Sequence, residues 1–295
     1  MVYGWQGIVL LAWLGLSVGS FLNVVIYRLP VMLERQWRAN AREIMASESL
    51  TQPADTQEAD QAPQDETAPF NLMVPRSRCP KCNHQIGALE NIPVFSWLFL
   101  GRKCKACRAP ISARYPAIEL LTAGLTIAVI TQFGFTGLGL ALCFFTWFLI
   151  AATFIDFDTT LLPDQLTFPL LWLGLLTNTL THGIVPLTDA VIGAVAGYLF
   201  LWGTYWLFKL ATGKEGMGYG DFKLFAALGA WMGWQVLPSI ILIAAVLGLL
   251  YAMFAMLAKQ LTRAQPIAFG PYLAVAGWVT LMWREPVLSL FSIAG

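Results

Sequence analysis

The residues best suited to chemistry in this sequence are carboxylates placed at the ends of apolar runs. Asp156, Asp158 and Asp164 lie between Ile155 and Asp164, where one apolar stretch stops and the next begins, and Asp221 follows Gly218 and Gly220 just ahead of a third. An ionisable group in hydrocarbon costs up to about 3 kcal/mol at mid-depth and less near the interface, so each acid needs a reason to be there. Asp156 closes a long apolar helix, where the C-terminal dipole opposes an anion and nothing local stabilises the charge. Asp221 can be read in two ways, as a chemical group or as a helix N-cap whose side chain accepts from free backbone N–H groups. If Asp156 and Asp221 meet, their repulsion leaves the pair holding one proton between about pH 5 and 8. One acid and one base then face each other, an arrangement able to activate a water between them and to protonate a leaving amine. Asp164 follows Pro163 and precedes an apolar run, which reads as an N-cap. Asp158 lies within a helical turn of Asp156 and competes with it for the first role.

The second constellation is Cys79 with Cys82 and Cys104 with Cys107, two C-x-x-C knuckles with 21 residues between the inner cysteines. That spacing is close to that of four-thiolate zinc sites, whose closed shell leaves no position for substrate and so marks a structural metal. Arg78, Lys81, Arg102, Lys103, Lys105 and Arg108 surround the knuckles and favour the thiolate form a metal requires. Two disulfides are the alternative, disfavoured in the reducing compartment to which topology assigns the loop. His84 reads as a surface residue. Cys143, deep in an apolar run, reads as a small hydrophobe in a helix interface.

The elements that must position these groups are membrane helices. The 295 residues are 57% hydrophobic and 12% charged, with mean hydropathy +0.64, which predicts an all-α polytopic membrane protein. A formal net charge of +1 gives no support for a nucleic-acid partner. Gly, Pro and charge divide the chain into about eight apolar stretches: residues 5–27, 117–133, 138–155, 166–180, 190–208, 222–233, 237–258 and 268–283. Two of them are shorter than the ~20 residues that span a bilayer comfortably. Ser17, Ser20 and Asn23 form a polar stripe on the first, expected to pack on another helix. The expected organisation is a first membrane helix over 1–28, a cytoplasmic region over 29–113, and a membrane bundle of about seven helices over 114–295. The cytoplasmic region contains a four-cysteine domain over 75–112. It also contains a segment from Ser47 to Pro69 with six acidic residues, three prolines and no Lys or Arg, which reads as a flexible insert.

Charge distribution orients the bundle. Of the 18 basic residues 12 lie between Arg28 and Arg114, and none occurs from Tyr115 to Phe208. With the N-terminus outside and eight spans, 17 of the 18 fall on the cytoplasmic side, leaving Arg284 outside. An even number of spans separates Asp156 from Asp221, which returns both to one face.

Five motifs together resemble a family, the bacterial prepilin peptidases. These are type IV leader peptidases that also N-methylate their product, within the wider group of G-x-G-D intramembrane aspartic proteases. The motifs are Gly19 to Pro30, the paired knuckles, Arg114 to Leu120, Ile155 to Asp164, and Gly218 to Asp221. The resemblance implies that Asp156 and Asp221 are the catalytic pair, that Gly218 and Gly220 shape the backbone beside the second, and that the four cysteines hold zinc. It implies that the substrates are precursors of type IV pilins and of type II secretion pseudopilins. These would be cut after a Gly that ends a short basic leader, at the cytoplasmic face of the bacterial inner membrane. It implies that S-adenosylmethionine then methylates the exposed amino-terminal residue. No G-x-G-x-x-G turn follows a strand pattern, so no residue is assigned to the methyl donor. Glu119 could take part, or could serve only the dipole of its helix. Two other classes compete: a transporter relaying protons or cations through Asp156, Asp158 and Asp221, and a membrane scaffold with a zinc-ribbon docking domain. Against the first, transporter sites lie near the bilayer midplane on interrupted helices, whereas these acids lie at span ends.

Overall fold

The computed structural model describes residues 4–49, 69–181, 183–258 and 268–291. Residues 50–68, which make up most of the acidic segment, lie outside these, as do Lys259 and Arg263. All eight apolar stretches are helices. The helices are α1 (Trp5–Ser49), α2 (Phe95–Phe99), α3 (Arg114–Phe133), α4 (Gly137–Thr159), α5 (Asp164–Leu180), α6 (Leu187–Thr212), α7 (Tyr219–Met232), α8 (Leu237–Leu257), α9 (Gly270–Met282) and α10 (Arg284–Phe291). Among the described residues there is no strand, only two isolated bridges in the cysteine region.

Five helices, α1, α3, α4, α6 and α8, are long and apolar enough to cross a membrane. The other three apolar helices, α5, α7 and α9, have 17, 14 and 13 residues, so three rather than two of the eight stretches are shorter than a comfortable span. In α7 the reason is burial. From Asp221 to Met232 all but Lys223 are buried, so the helix is solvated by protein and need not match the hydrocarbon thickness. Its neighbours come close because small residues allow it. A Cβ on Gly229 would lie 2.2 Å from the Gly193 carbonyl oxygen of α6. Asn178 of α5 donates to the carbonyls of Ala230 and Trp231, and Arg284 donates to that of Met232, so the last turn of α7 is satisfied by side chains.

The first helix departs most from expectation. The apolar run ends at Tyr27, but α1 continues through Pro30 to Ser49, 45 residues in all. Proline removes one backbone bond and normally ends a helix. Here tertiary contacts hold the helix on course: buried Arg28 donates to the carbonyls of Asn71 and Pro75, and Arg35 stacks on the Phe70 ring. Within the bilayer α1 lies on α3 at backbone distance, with a Cβ on Gly19 only 2.6 Å from the Glu119 Cα. The polar stripe serves this contact, as Asn23 donates to the Tyr115 carbonyl at 3.2 Å.

Candidate functional site

The last turn of α4 and the first turn of α7 open onto a common cavity of about 690 Å³. Asp156 and Asp221 both line it, and the charge of Asp156 reaches Asp221. Both side chains are buried, at 4% and 6% exposure, and each keeps one buried oxygen, Asp156 Oδ2 and Asp221 Oδ1, without a hydrogen-bond partner. Asp221 is not the helix cap. Gly218 occupies the N-cap position of α7 and Asp221 is its third residue.

The other two acids of the region are neutralised. Asp158 accepts from both Arg114 Nη1 and Nη2, at 2.8 and 2.6 Å, and Asp164 pairs with Lys223. The sequence contains no basic residue near them, and the fold supplies one to each from a distant helix. Asp164 is also the first residue of α5, with Pro163 at the N-cap, so its expected capping role gives way to the ion pair. The four acids thus divide into two with cations and two without.

Two glycines bring the unpaired carboxylates together. A Cβ on Gly220 would sit 2.5 Å from the Leu162 Cβ, so glycine lets the start of α7 press on the turn that follows Asp156. Gly218 meets no such obstacle, and nothing in the packing explains why it is glycine. Gly270, which sequence reasoning missed, touches the site directly. It opens α9, its amide faces the Asp156 carboxylate, and a Cβ there would lie 2.6 Å from Asp156 Oδ2. Asp156 therefore has the favourable end of α9 to offset the unfavourable end of its own helix. Gly270→Ala should displace Asp156 with little effect on the overall fold. A misplacement of ~1 Å costs about 100-fold in rate. Turnover and thermal transition measured beside those of Gly203→Ala, where a Cβ meets nothing within 4 Å, would check this.

The cavity is roofed by Leu33 and Trp37, on the part of α1 beyond the apolar run, and by Phe269. These had no signal in a sequence read helix by helix. Glu119 does not line the cavity and is not in the first turn of α3. It is buried, accepts from the Val94 amide at 2.7 Å and is approached by Ser20 of α1, so it ties the cysteine region to the bundle.

The four cysteines converge, with all sulfurs within 4.8 Å of one another. Cys79 to Cys107 is 3.8 Å and Cys82 to Cys104 is 3.9 Å. A Zn–S bond of about 2.3 Å in a tetrahedron requires S···S edges of about 3.8 Å, so the donor set fits zinc. The knuckles are copies of each other. Cys79 N donates to His84 O and Asn83 N to Cys79 O; Cys104 N donates to Ala109 O and Arg108 N to Cys104 O. Asn83 and Arg108 both adopt left-handed φ, at 56° and 58°. The Lys81 and Cys82 backbone amides point at the Cys79 sulfur and bring its thiol down to about 6, ready to bind as thiolate. His84 pairs with Glu90 at 3.0 Å and is spare as a ligand, and it holds the Glu90 carboxyl below its usual range. Cys143 is buried among apolar residues.

An α-helical membrane bundle that aims two unpaired carboxylates into one cavity and carries a four-thiolate knuckle domain between its first two spans defines a narrow class of polytopic membrane protein. Residues 13–133 match the bacterial peptidase A24 N-terminal domain, and residues 143–253 match the type IV leader peptidase family. The chain belongs to this family. It is 56% identical over 273 residues to the prepilin leader peptidase/N-methyltransferase of Aeromonas salmonicida (strain A449), covering 92% of this chain and 89% of the relative. It is 50% identical over 275 residues to that of Pseudomonas aeruginosa, covering 93% and 89%, and 50% identical over 286 residues to that of Dichelobacter nodosus, covering 97% and 94%. No solved structure matches the chain.

Proposed function

We propose that this protein is a prepilin leader peptidase and N-methyltransferase of the bacterial inner membrane, with Asp156 and Asp221 as its catalytic pair. One observation carries the assignment of the pair. Of the four acids that line the cavity, Asp156, Asp164, Glu215 and Asp221, only Asp156 and Asp221 are buried, each with an unpartnered oxygen, while Asp164 and Glu215 pair with Lys223 and Lys209; Asp158, outside the lining, pairs with Arg114. A buried acid without a cation is costly to keep unless chemistry uses it.

In the reaction the ionised member of the pair removes a proton from water as its oxygen attacks the scissile carbonyl. The protonated member hydrogen-bonds the carbonyl oxygen, and the leaving amine then takes up a proton as the C–N bond breaks. Atoms balance: one water enters, and one carboxyl and one amine leave. Gly270, at the start of α9, lies against the Asp156 carboxylate and limits where it can sit. Zinc on Cys79, Cys82, Cys104 and Cys107 supplies rigidity to the knuckle domain and no step of the reaction.

The substrates in this reading are type IV prepilins and type II secretion pseudopilin precursors, presented from the lipid bilayer with their basic leaders on the cytoplasmic side. Retention of basic residues beside the cavity end of the bundle, Arg114, Lys214 and Lys223 among them, supports a cytoplasmic site. S-adenosylmethionine is the methyl donor that the relatives' shared name implies. With no strand among the described residues there is no β-α nucleotide turn to hold it, and no residue is assigned to it. A transporter reading gains nothing, because the unpaired acids lie at helix ends and in a single cavity. The test is incubation of the detergent-purified protein with a prepilin. A product mass matching leader removal supports the peptidase, and a further gain of one methylene, dependent on S-adenosylmethionine, supports the transferase. An unchanged precursor under both conditions overturns the reading.

A further inference from the structure

The short helix α2 has a face that the fold leaves uncovered. Phe95, Leu98 and Phe99 occur at i, i+3 and i+4, which places them on one side of the helix, and they are 45%, 55% and 87% exposed. Arg102 and Lys103 follow at once, both exposed. Loop tips of this kind are usually polar.

Two bonds fix the level at which this face lies. The amide of Val94, which caps α2, donates to the Glu119 carboxyl at 2.7 Å. Glu119 is the sixth residue of α3, so at 1.5 Å per residue it sits about 7 Å past the start of that helix. At the other side of α2 the Trp97 indole donates to the Ile111 carbonyl, just before α3 begins. α3 itself has only 20 residues, all needed to cross about 30 Å of hydrocarbon. A helix pinned between Ile111 and Glu119 therefore lies at the level of the lipid boundary, with its apolar face directed away from the protein.

We propose that α2 is an interfacial anchor. Phe95, Leu98 and Phe99 enter the boundary between headgroups and acyl chains, and Arg102 and Lys103 meet anionic headgroups above it. The knuckle domain is then held at the membrane by three attachments: the Arg28 clamp on α1, the Glu119 bond on α3, and α2 in the lipid. The inference rests on the membrane placement of α3 and is independent of the reaction.

The test places the photo-cross-linker p-benzoylphenylalanine at Phe99 in the full chain, reconstituted into vesicles of phosphatidylethanolamine and phosphatidylglycerol. Irradiation followed by intact mass measurement should show a shift of one phospholipid. The same group at Leu249, a 61% exposed residue of α8, is the positive control, and at Ala41, well beyond the apolar part of α1, the negative control. Zinc content equal to that of the parent confirms that the labelled domain is folded. A lipid adduct at Leu249 with none at Phe99 overturns the proposal, as does a Phe99 adduct only to a second copy of the chain. Substitution of Phe99→Asp together with Leu98→Asp should leave zinc content unchanged and remove the protection that vesicles give α2 itself from protease. Retained protection would count against the anchor.

Discussion

Asp156→Asn and Asp221→Asn should each abolish prepilin cleavage while zinc content and membrane insertion stay as in the parent. Each substitution removes one of two proton-transfer roles, and such a role contributes roughly 100- to 10,000-fold. The ion-paired neighbours should behave differently. Asp158→Asn and Asp164→Asn remove partners of Arg114 and Lys223 that are 39% and 50% exposed, and exposed pairs are worth about 1 kcal/mol or less. The rate should follow a bell in pH. On the acid side both carboxyls are protonated and no base remains; on the alkaline side both are ionised and no acid remains. The two limbs belong to the pair and not to either residue. Initial rates of the four variants across pH decide the matter. Full activity in Asp156→Asn with loss in Asp158→Asn would move the first role by two positions, and activity in Asp221→Asn would end the two-aspartate mechanism.

The second large effect is expected at the knuckles. Cys82→Ser should release the metal and unfold residues 75–112, because structural zinc contributes about 10–16 kcal/mol of apparent binding energy to domains with little core of their own. Only Cys79 and Cys104 of the four cysteines are buried, and the two short helical turns of the domain bury no residue, so packing alone cannot replace the metal. The membrane bundle should survive, since its core is made by α1 and α3 to α9. Elemental analysis of the parent should give one zinc per chain, and limited proteolysis of Cys82→Ser should cut within the domain and spare the helices. Substoichiometric zinc in the parent, together with a variant that resists protease equally well, would remove the metal from the account.

Much of this arrangement could be read from composition and spacing. Apolar stretches become helices because the bilayer allows little else, and Asp156 and Asp221, expected on one face, line one cavity. The errors share a cause, which is that sequence distance hides the partner. Asp164 looked like a cap because Lys223 is 59 positions away. Glu119 reads either as a reactant or as a dipole partner because its bonding partner, Val94, lies 25 positions earlier. Gly270 gave no signal at all, since its importance lies in a carboxylate on another helix. The continuation of α1 was hidden differently: a change from apolar to mixed composition marks the edge of the lipid, not the end of a helix. Glu34 and Arg38, bonded at 2.6 Å one turn apart, show the helix proceeding in water.

That continuous helix makes the roof of the cavity and the first membrane span a single lever. Leu33 and Trp37 belong to the same helix that is wedged against α3 at Gly15 and Gly19, with Pro30 between the two sets of contacts. If access to the cavity depends on the tilt of α1, bilayer thickness would bias it alongside the packing of α1 on α3. The membrane in which the protein sits would act as a throttle on access to the carboxylates. Cleavage rates in vesicles of graded acyl-chain length, beside rates on a short soluble peptide in detergent, would read that dependence directly.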